Sequence, residues 1–257
     1  MREDRFTDKV VLITGGGTGI GKACAEDFAK EGAIVVIAGR REQPLKDTVK
    51  GITDEGGRAA YFTCDTSKSN LVDGLIKNIV DKYGRLDIAV PNASMVMVAP
   101  IEDVTDEDID RLVDINIKGT YYVLRAVVRQ MKAQGGGNIV TMSSMSGMLG
   151  HANMSLYCST KAAIMNMSKA LALELATQNI RVNVVCPGTI DTAMPRDFSK
   201  TQANPDAVID NFVEAEPMKR LGDVGEVSTV VLFLASDEAS FVTGSNYTVD
   251  AGFTAGK

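Results

Sequence analysis

The sequence carries no excess of positive charge. Its 27 Lys and Arg are outnumbered by 33 Asp and Glu, for a net charge of -6 and a pI near 5.0. Without a basic footprint, no nucleic-acid partner is expected. No run of 18 apolar residues occurs, so neither a transmembrane helix nor a membrane partner is expected. Residues 1–9 are charged and lack the apolar centre of a signal peptide, which points to the cytoplasm. The few cysteines, Cys24, Cys64, Cys158 and Cys186, lie far apart and form no C-x-x-C. They read as small buried hydrophobes in a reducing compartment rather than as disulfides or metal ligands. A single histidine, His151, excludes a multi-histidine centre, and no metal is expected. Linkers, repeats and low-complexity stretches are also missing. What remains is a chain expected to act on a small-molecule substrate.

The 257 residues are 45% hydrophobic and 23% charged, ordinary for a globular chain with a sizeable core. Short continuous apolar runs recur at residues 10–14 (VVLIT), 33–38 (AIVVIA), 59–64, 86–90, 138–143, 181–186 and 246–249. Between them lie helical patterns. Residues 20–31 place Ile20, Cys24 and Phe28 on one face. Residues 70–83 place Leu71, Val72, Leu75, Ile76, Ile79, Val80 and Tyr83 at helical spacing, with Gly84 as the stop. Thr105 and Asp108 form a capping box for a helix through Asp114, continuing after a break at Gly119 to Gln134. Residues 157–177 and 225–236 complete the helices. Continuous apolar strands alternating with helices predict an α/β fold: a doubly wound, Rossmann-like parallel sheet with helices on both faces. One domain, 1–257, is the simplest count. The segment 189–217 is long, polar and weakly periodic, and is expected to be a substrate-binding loop or lid.

The first strand runs into Thr14-Gly15-Gly16-Gly17-Thr18-Gly19-Ile20-Gly21 before a helix begins. Glycines allow a tight turn and close approach of a ligand, and the helix N-terminus supplies free N–H groups for a phosphate. At the first strand–helix junction of a parallel sheet this suggests a dinucleotide. No G-K-[ST] follows, so a nucleoside triphosphatase loop is not supported.

Tyr157 and Lys161 are four apart on a predicted helix and share a face. A tyrosine with a pKa of about 10 is a poor acid or base at neutral pH, but a nearby ammonium favours the phenolate. Such a pair can exchange a proton with a substrate oxygen.

The T-G-x-x-x-G-I-G pattern resembles that of the short-chain dehydrogenase/reductase family in its compact form, and the resemblance covers the whole chain. The family pattern continues with an Asp after the third strand, N-N-A-G after the fourth, an Asn in the next helix, a Ser, Y-x-x-x-K, and P-G after the sixth strand. This sequence offers Asp65, Pro91-Asn92-Ala93-Ser94, Asn116, Ser144, Tyr157 with Lys161, and Pro187-Gly188. The resemblance implies four catalytic residues. Tyr157 is the general acid in reduction and the general base in oxidation. Lys161 lowers its pKa and binds the nicotinamide ribose. Ser144 holds the substrate oxygen; it is preferred to Ser143 because its spacing to Tyr157 fits the family. Asn116 holds a water that links Lys161 to solvent. Cofactor contacts are expected from Gly15, Gly17, Thr18, Gly19, Ile20, Asp65, Asn92 and Ala93. Further contacts are expected from Pro187, Gly188, Ile190 and Thr192, and from Tyr157 and Lys161 themselves. A homo-oligomer, tetramer or dimer, is also implied. The departure lies at P-N-A-S: Pro91 lacks the N–H and the side chain of the family's first Asn, so altered local bracing is expected, and Ser94 narrows the space beside the nicotinamide.

At the end of the second strand, where a carboxylate would favour NAD, the chain has Gly39, Arg40 and Arg41. Two guanidiniums can clamp a 2′-phosphate, so NADP(H) is expected over NAD; the alternative is that both are solvated surface charge. Thr18 weighs against NADP(H), because NADP-preferring relatives often carry a basic residue there.

Methionines gather where the family places substrate walls: Met145, Met148 and Met154 near Ser144, Met95 and Met97 after the fourth strand, and Met194 in the long loop. They suit a pocket for a bulky apolar substrate such as a hydroxysteroid or terpenoid ketone, or else they fill the core, as Met142, Met165 and Met167 are expected to do. Ser144, Met145, His151, Tyr157 and Met194 are the expected substrate contacts, although His151 equally fits an ordinary loop residue. The expected function is thus NADP(H)-dependent interconversion of a secondary alcohol and a ketone by hydride transfer. A 3-oxoacyl-thioester (acyl carrier protein) reductase shares every motif, and a catalytically silent NADP(H)-binding sensor is the alternative of another class.

Overall fold

A computed structural model describes residues 4–202 and 204–256. Seven parallel strands form one sheet in the order β3-β2-β1-β4-β5-β6-β7. They are β1 (Val10–Thr14), β2 (Ile34–Gly39), β3 (Arg58–Thr63), β4 (Ile88–Val90), β5 (Gly137–Met142), β6 (Ile180–Pro187) and β7 (Asn246–Val249).

Alternate residues of the strands feed two cores. Val11, Ile13, Val35 and Ile37 pack with Cys24 and Phe28 of helix α1 (Gly19–Lys30), with Leu45 and Ile52 of α2 (Glu42–Asp54), and with Val227 and Val231 of a later helix. Val10, Leu12, Val36 and Ala38 face the opposite way. They meet Val72, Leu75 and Ile79 of α3 (Ser69–Tyr83), and Val123, Val127 and Met131 from farther along the chain. Both faces are covered, which is why the strands read as unbroken apolar runs. The doubly wound, single-domain α/β fold is as expected.

Four details differ from the sequence reading. Helix α2 was not expected. The long central helix does not break at Gly119. Instead α4 (Asp106–Leu112) passes through a π-helical stretch, Val113–Gly119, into α5 (Thr120–Gln134). Gly119 serves close packing: a Cβ there would lie 3.0 Å from Thr66 Oγ1. After α6 (Ser155–Leu175), the segment 189–217 holds two helices, α7 (Ala193–Lys200) and α8 (Pro205–Ala215), rather than an open loop. The last helix is α9 (Val224–Ala235). The shorter β4 begins two residues later than expected because Leu86 is taken by Gln134, whose Oε1 accepts the Leu86 N–H at 3.1 Å.

The register sets the site. Ile13 pairs with Ile37 on one side and Val90 on the other, and Met142 pairs with Val185. The carboxyl ends of β1, β2, β4, β5 and β6 therefore share one edge of the sheet. The order reverses between β1 and β4, the position where open α/β sheets place ligands.

Candidate active site

The glycine turn leaves β1 at this edge. Gly15 and Gly19 have φ of +69° and +54°, which disfavours any residue with a Cβ. Gly21 is fixed by closeness: a Cβ there would lie 2.4 Å from the Gly15 carbonyl oxygen and 2.6 Å from Asn92 Nδ2. Thr18, the residue ahead of α1, makes no side-chain cap, so the first N–H groups of the helix are left for a ligand. The turn and the β4 end are tied together. Thr14 Oγ1 accepts the N–H groups of Asn92 and Ala93, both at 3.0 Å, while Asn92 Nδ2 donates to the Thr14 carbonyl at 3.0 Å. Thr14 is a site residue that motif reading passed over.

One cavity of about 700 Å³ runs along the edge. At one end stand Arg40, Arg41 and Asp65, with Gly15, Gly17, Thr18, Gly19 and Ile20 along the floor. Arg40 and Arg41 are exposed and pair with no described residue. Asp65 turns one oxygen to the Ser67 N–H and hydroxyl, at 3.0 and 2.8 Å. Asn92, Ala93, Pro187, Gly188, Ile190 and Thr192 line the middle. Among the described residues no group of His, Cys, Asp and Glu could hold a metal ion, and no helix is long and apolar enough to cross a membrane.

Ser144, Tyr157 and Lys161 meet in the same cavity. The phenol is buried, and burial pushes its pKa up to about 12, with the neighbouring Ser144 hydroxyl pulling the other way. Lys161 Nζ lies 5.7 Å from the centre of the Tyr157 ring and donates to the Met142 carbonyl at 3.2 Å. Burial lowers its pKa to about 8. The lowering expected from Lys161 is not seen: desolvation of the phenol sets the direction, and the only group that pulls it down is Ser144. Ser143 is spent elsewhere, donating to the Lys161 carbonyl at 2.8 Å, which leaves Ser144 as the hydroxyl beside Tyr157.

Asn116 does not line the cavity. It sits fully buried in the π-helical stretch. Its Nδ2 donates to the Met95 carbonyl at 2.9 Å and to Thr160 Oγ1 at 3.1 Å, and its Oδ1 accepts from Met95 N at 2.9 Å and Ser94 Oγ at 3.2 Å. Thr160 passes the chain on to the Tyr157 carbonyl at 2.8 Å. Both donors of the amide are taken. The side chain is therefore a brace, and it has no donor left for the expected water.

Of the expected substrate contacts, Met145, His151 and Met194 line the cavity, as does Met154. Met148 is 45% exposed and lies outside it. Along the stretch after β4 it is Val96 and Val98, not Met95 and Met97, that form the wall. The wall residues that the sequence reading missed also include Phe198 of α7, Phe212 and Ala215 of α8, and Phe253 near the C-terminus. No local sequence signal marks them.

Residues 15–254 match the family model described as enoyl-(acyl carrier protein) reductase. A Thermotoga maritima protein named "uncharacterized oxidoreductase" is 41% identical over 97% of this chain and 99% of its own length. Cyclopentanol dehydrogenase of a Comamonas species is 37% identical over 98% of this chain and 99% of its own. The crystal structure of levodione reductase superposes with a TM-score of 0.95 at 32% identity, covering 98% of this chain and all of that one. The chain belongs to the short-chain dehydrogenase/reductase family, oxidoreductases that act on CH–OH donors with a nicotinamide cofactor.

Proposed function

We propose that this protein interconverts a secondary alcohol and a ketone with NADP(H), using Tyr157 as the proton-transferring group. The observation that carries the reading is the meeting of Ser144, Tyr157 and Lys161 at the carboxyl edge of the sheet, in the cavity that the glycine turn opens. The cofactor supplies or accepts the hydride. In reduction Ser144 Oγ donates a hydrogen bond to the carbonyl oxygen, and Tyr157 Oη gives that oxygen its proton. The Lys161 ammonium offsets the phenolate left behind. In oxidation the phenolate takes the hydroxyl proton.

Exposed Arg40 and Arg41, with no carboxylate at the end of β2, support NADP(H) over NAD(H). The apolar wall residues Val96, Val98, Met194 and Phe212 support an apolar ketone. A hydroxysteroid stands at the large end of that class. A 3-oxoacyl-thioester substrate is the second reading, favoured by a Thermotoga maritima 3-oxoacyl-[acyl-carrier-protein] reductase that is 37% identical over 96% of this chain and 98% of its own length. The intact proton-transfer group argues against a silent sensor. Exposed Tyr121 on α5 and Leu173 on α6 support assembly into a homo-oligomer, and the unpaired buried thiols of Cys24, Cys64 and Cys186 fit a reducing cytoplasm.

Tyr157→Phe tests the reading. Loss of general acid catalysis should lower kcat at least about 100-fold while NADPH affinity stays within a factor of a few. A Phe variant with wild-type turnover on any ketone would overturn it.

A further inference from the structure

The cavity must hold a dinucleotide and a substrate together. Sites for drug-sized ligands span about 300–1,000 Å³. A nicotinamide dinucleotide exceeds a drug-sized molecule, so it takes most of a cavity of about 700 Å³. The remainder, beside Tyr157, is closed by aromatic rings from distant parts of the chain. Phe198 and Phe212 join α7 to α8, with ring centres 6.3 Å apart. Phe253, 9% exposed, lines the same cavity and lies against His151 with ring centres 6.0 Å apart.

Phe253 is held rigidly. It belongs to the turn after β7, where Asp250 Oδ2 accepts the N–H and hydroxyl of Thr254 at 3.0 and 2.6 Å and Oδ1 accepts the Gly252 N–H at 3.1 Å. The turn is also packed against the cofactor segment: a Cβ on Gly188 would lie 2.8 Å from Asp250 Cα. Among the described residues that line this half of the cavity, the only charged side chain is Lys161, which is buried and turned to the Met142 carbonyl. Arg40, Arg41 and Asp65 stand at the other end. A carboxylate or phosphate on the substrate would lose its hydration here without gaining an ion pair.

We propose that Phe253, set against His151, is a specificity-determining residue that restricts the substrate to compact, neutral, apolar ketones and the matching alcohols. This rests on the alcohol–ketone reading above. Phe253 acts as a fixed end wall and takes no part in proton transfer.

The test is kcat/KM with NADPH and NADH for cyclohexanone, 2-decalone, a 3-ketosteroid and a cyclohexanone carboxylate. It is run on the wild type, Phe253→Ala and the milder Phe253→Leu, with melting temperatures measured alongside. In the wild type each added ring should cost at least about 10-fold, by the size of discrimination a tight apolar wall achieves. The carboxylate should also fall at least about 10-fold below cyclohexanone. Phe253→Ala should shrink or invert the gap between one ring and two, and Phe253→Leu should fall between. Where the alanine variant does not fold, the leucine variant decides. Equal turnover of steroid and cyclohexanone by the wild type, an unchanged size order in a folded variant, or good turnover of the carboxylate overturns this inference alone. No turnover of any carbonyl compound overturns the alcohol–ketone reading, and this inference with it.

Discussion

Replacing Thr14 with Val keeps the shape and strand preference of a buried residue at the end of β1 and removes one oxygen atom. That oxygen accepts two backbone N–H groups, from Asn92 and Ala93, both at 3.0 Å. An N–H left unpaired in the interior costs about 1–3 kcal/mol. Asn92 and Ala93 are half-buried rather than buried, so the lower part of that range applies, roughly 2–4 kcal/mol for the two. The added methyl offsets about 0.8 kcal/mol. A net loss of roughly 1–3 kcal/mol should lower the melting temperature by roughly 3–10 °C for a chain of this size. The same bonds set the distance between the glycine turn and the end of β4, so cofactor affinity should fall as well. Thr14→Ser is the control, since it keeps the oxygen and loses only a methyl. Thermal melts and NADPH fluorescence titrations of the three proteins decide the matter. A Val variant that matches the Ser variant in both measurements refutes the assigned role.

Gly21→Ala should be more damaging than its position in a helix suggests. The new Cβ would press on the Gly15 carbonyl and on Asn92 Nδ2, costing about 1–3 kcal/mol and weakening NADPH binding; a titration showing wild-type affinity would count against the tight turn. Arg40→Ala and Arg41→Ala should each raise the Kd for NADPH and leave that for NADH nearly unchanged, and an equal loss for both cofactors would sink the 2′-phosphate clamp. The ammonium of Lys161, lowered to about 8, is lost as pH rises through that value, so ketone reduction should fall above about pH 8. A pH–rate profile that stays flat to pH 10 would contradict this. Stability runs the other way: between pH 8 and 10 the unfolded chain binds a proton at Lys161 that the folded chain does not, so stability rises across that window. Denaturant titrations at the two pH values should show the rise in the wild type and not in Lys161→Met.

The strands and the proton-transfer group were legible because each leaves a local trace. A strand buried on both faces is apolar along most of its length, as VVLI of β1 and IVVIA of β2 are. Tyr157 and Lys161 need only one helical turn to meet. Helix α2 left little trace: Pro44 and Gly51 interrupt it, and it buries only Leu45, Thr48 and Ile52. Helices α7 and α8 left less. α8 buries no residue, α7 buries only Ser199, and their large side chains, Phe198 and Phe212, turn toward the cavity. α8 does carry a short apolar stripe at helical spacing, Val208, Ile209, Phe212 and Val213, which the reading of 189–217 as weakly periodic passed over. The partnership of Phe253 with His151 spans about a hundred residues of chain and has no sequence signature.

Pro91 shows where local reading and structure meet. A proline after β4 removes a donor and an amide from the centre of the sheet, so the bracing was expected to change. The strand end keeps its link to β5 through the Pro91 carbonyl, which accepts the Met142 N–H at 3.3 Å. Beyond it the backbone is gripped from two sides. Thr14 takes the N–H groups of Asn92 and Ala93, and Asn116 pairs both ways with Met95, as a neighbouring strand would. Ser94, where the family pattern has glycine, adds its hydroxyl to the same Asn116 oxygen. The serine therefore does more than narrow the space beside the nicotinamide. It adds a bond to the brace on the stretch that Pro91 leaves without the family's first amide. From that brace Asn116 and Thr160 reach the main chain of Tyr157, so the position of the acid depends on the segment that departs from the family pattern.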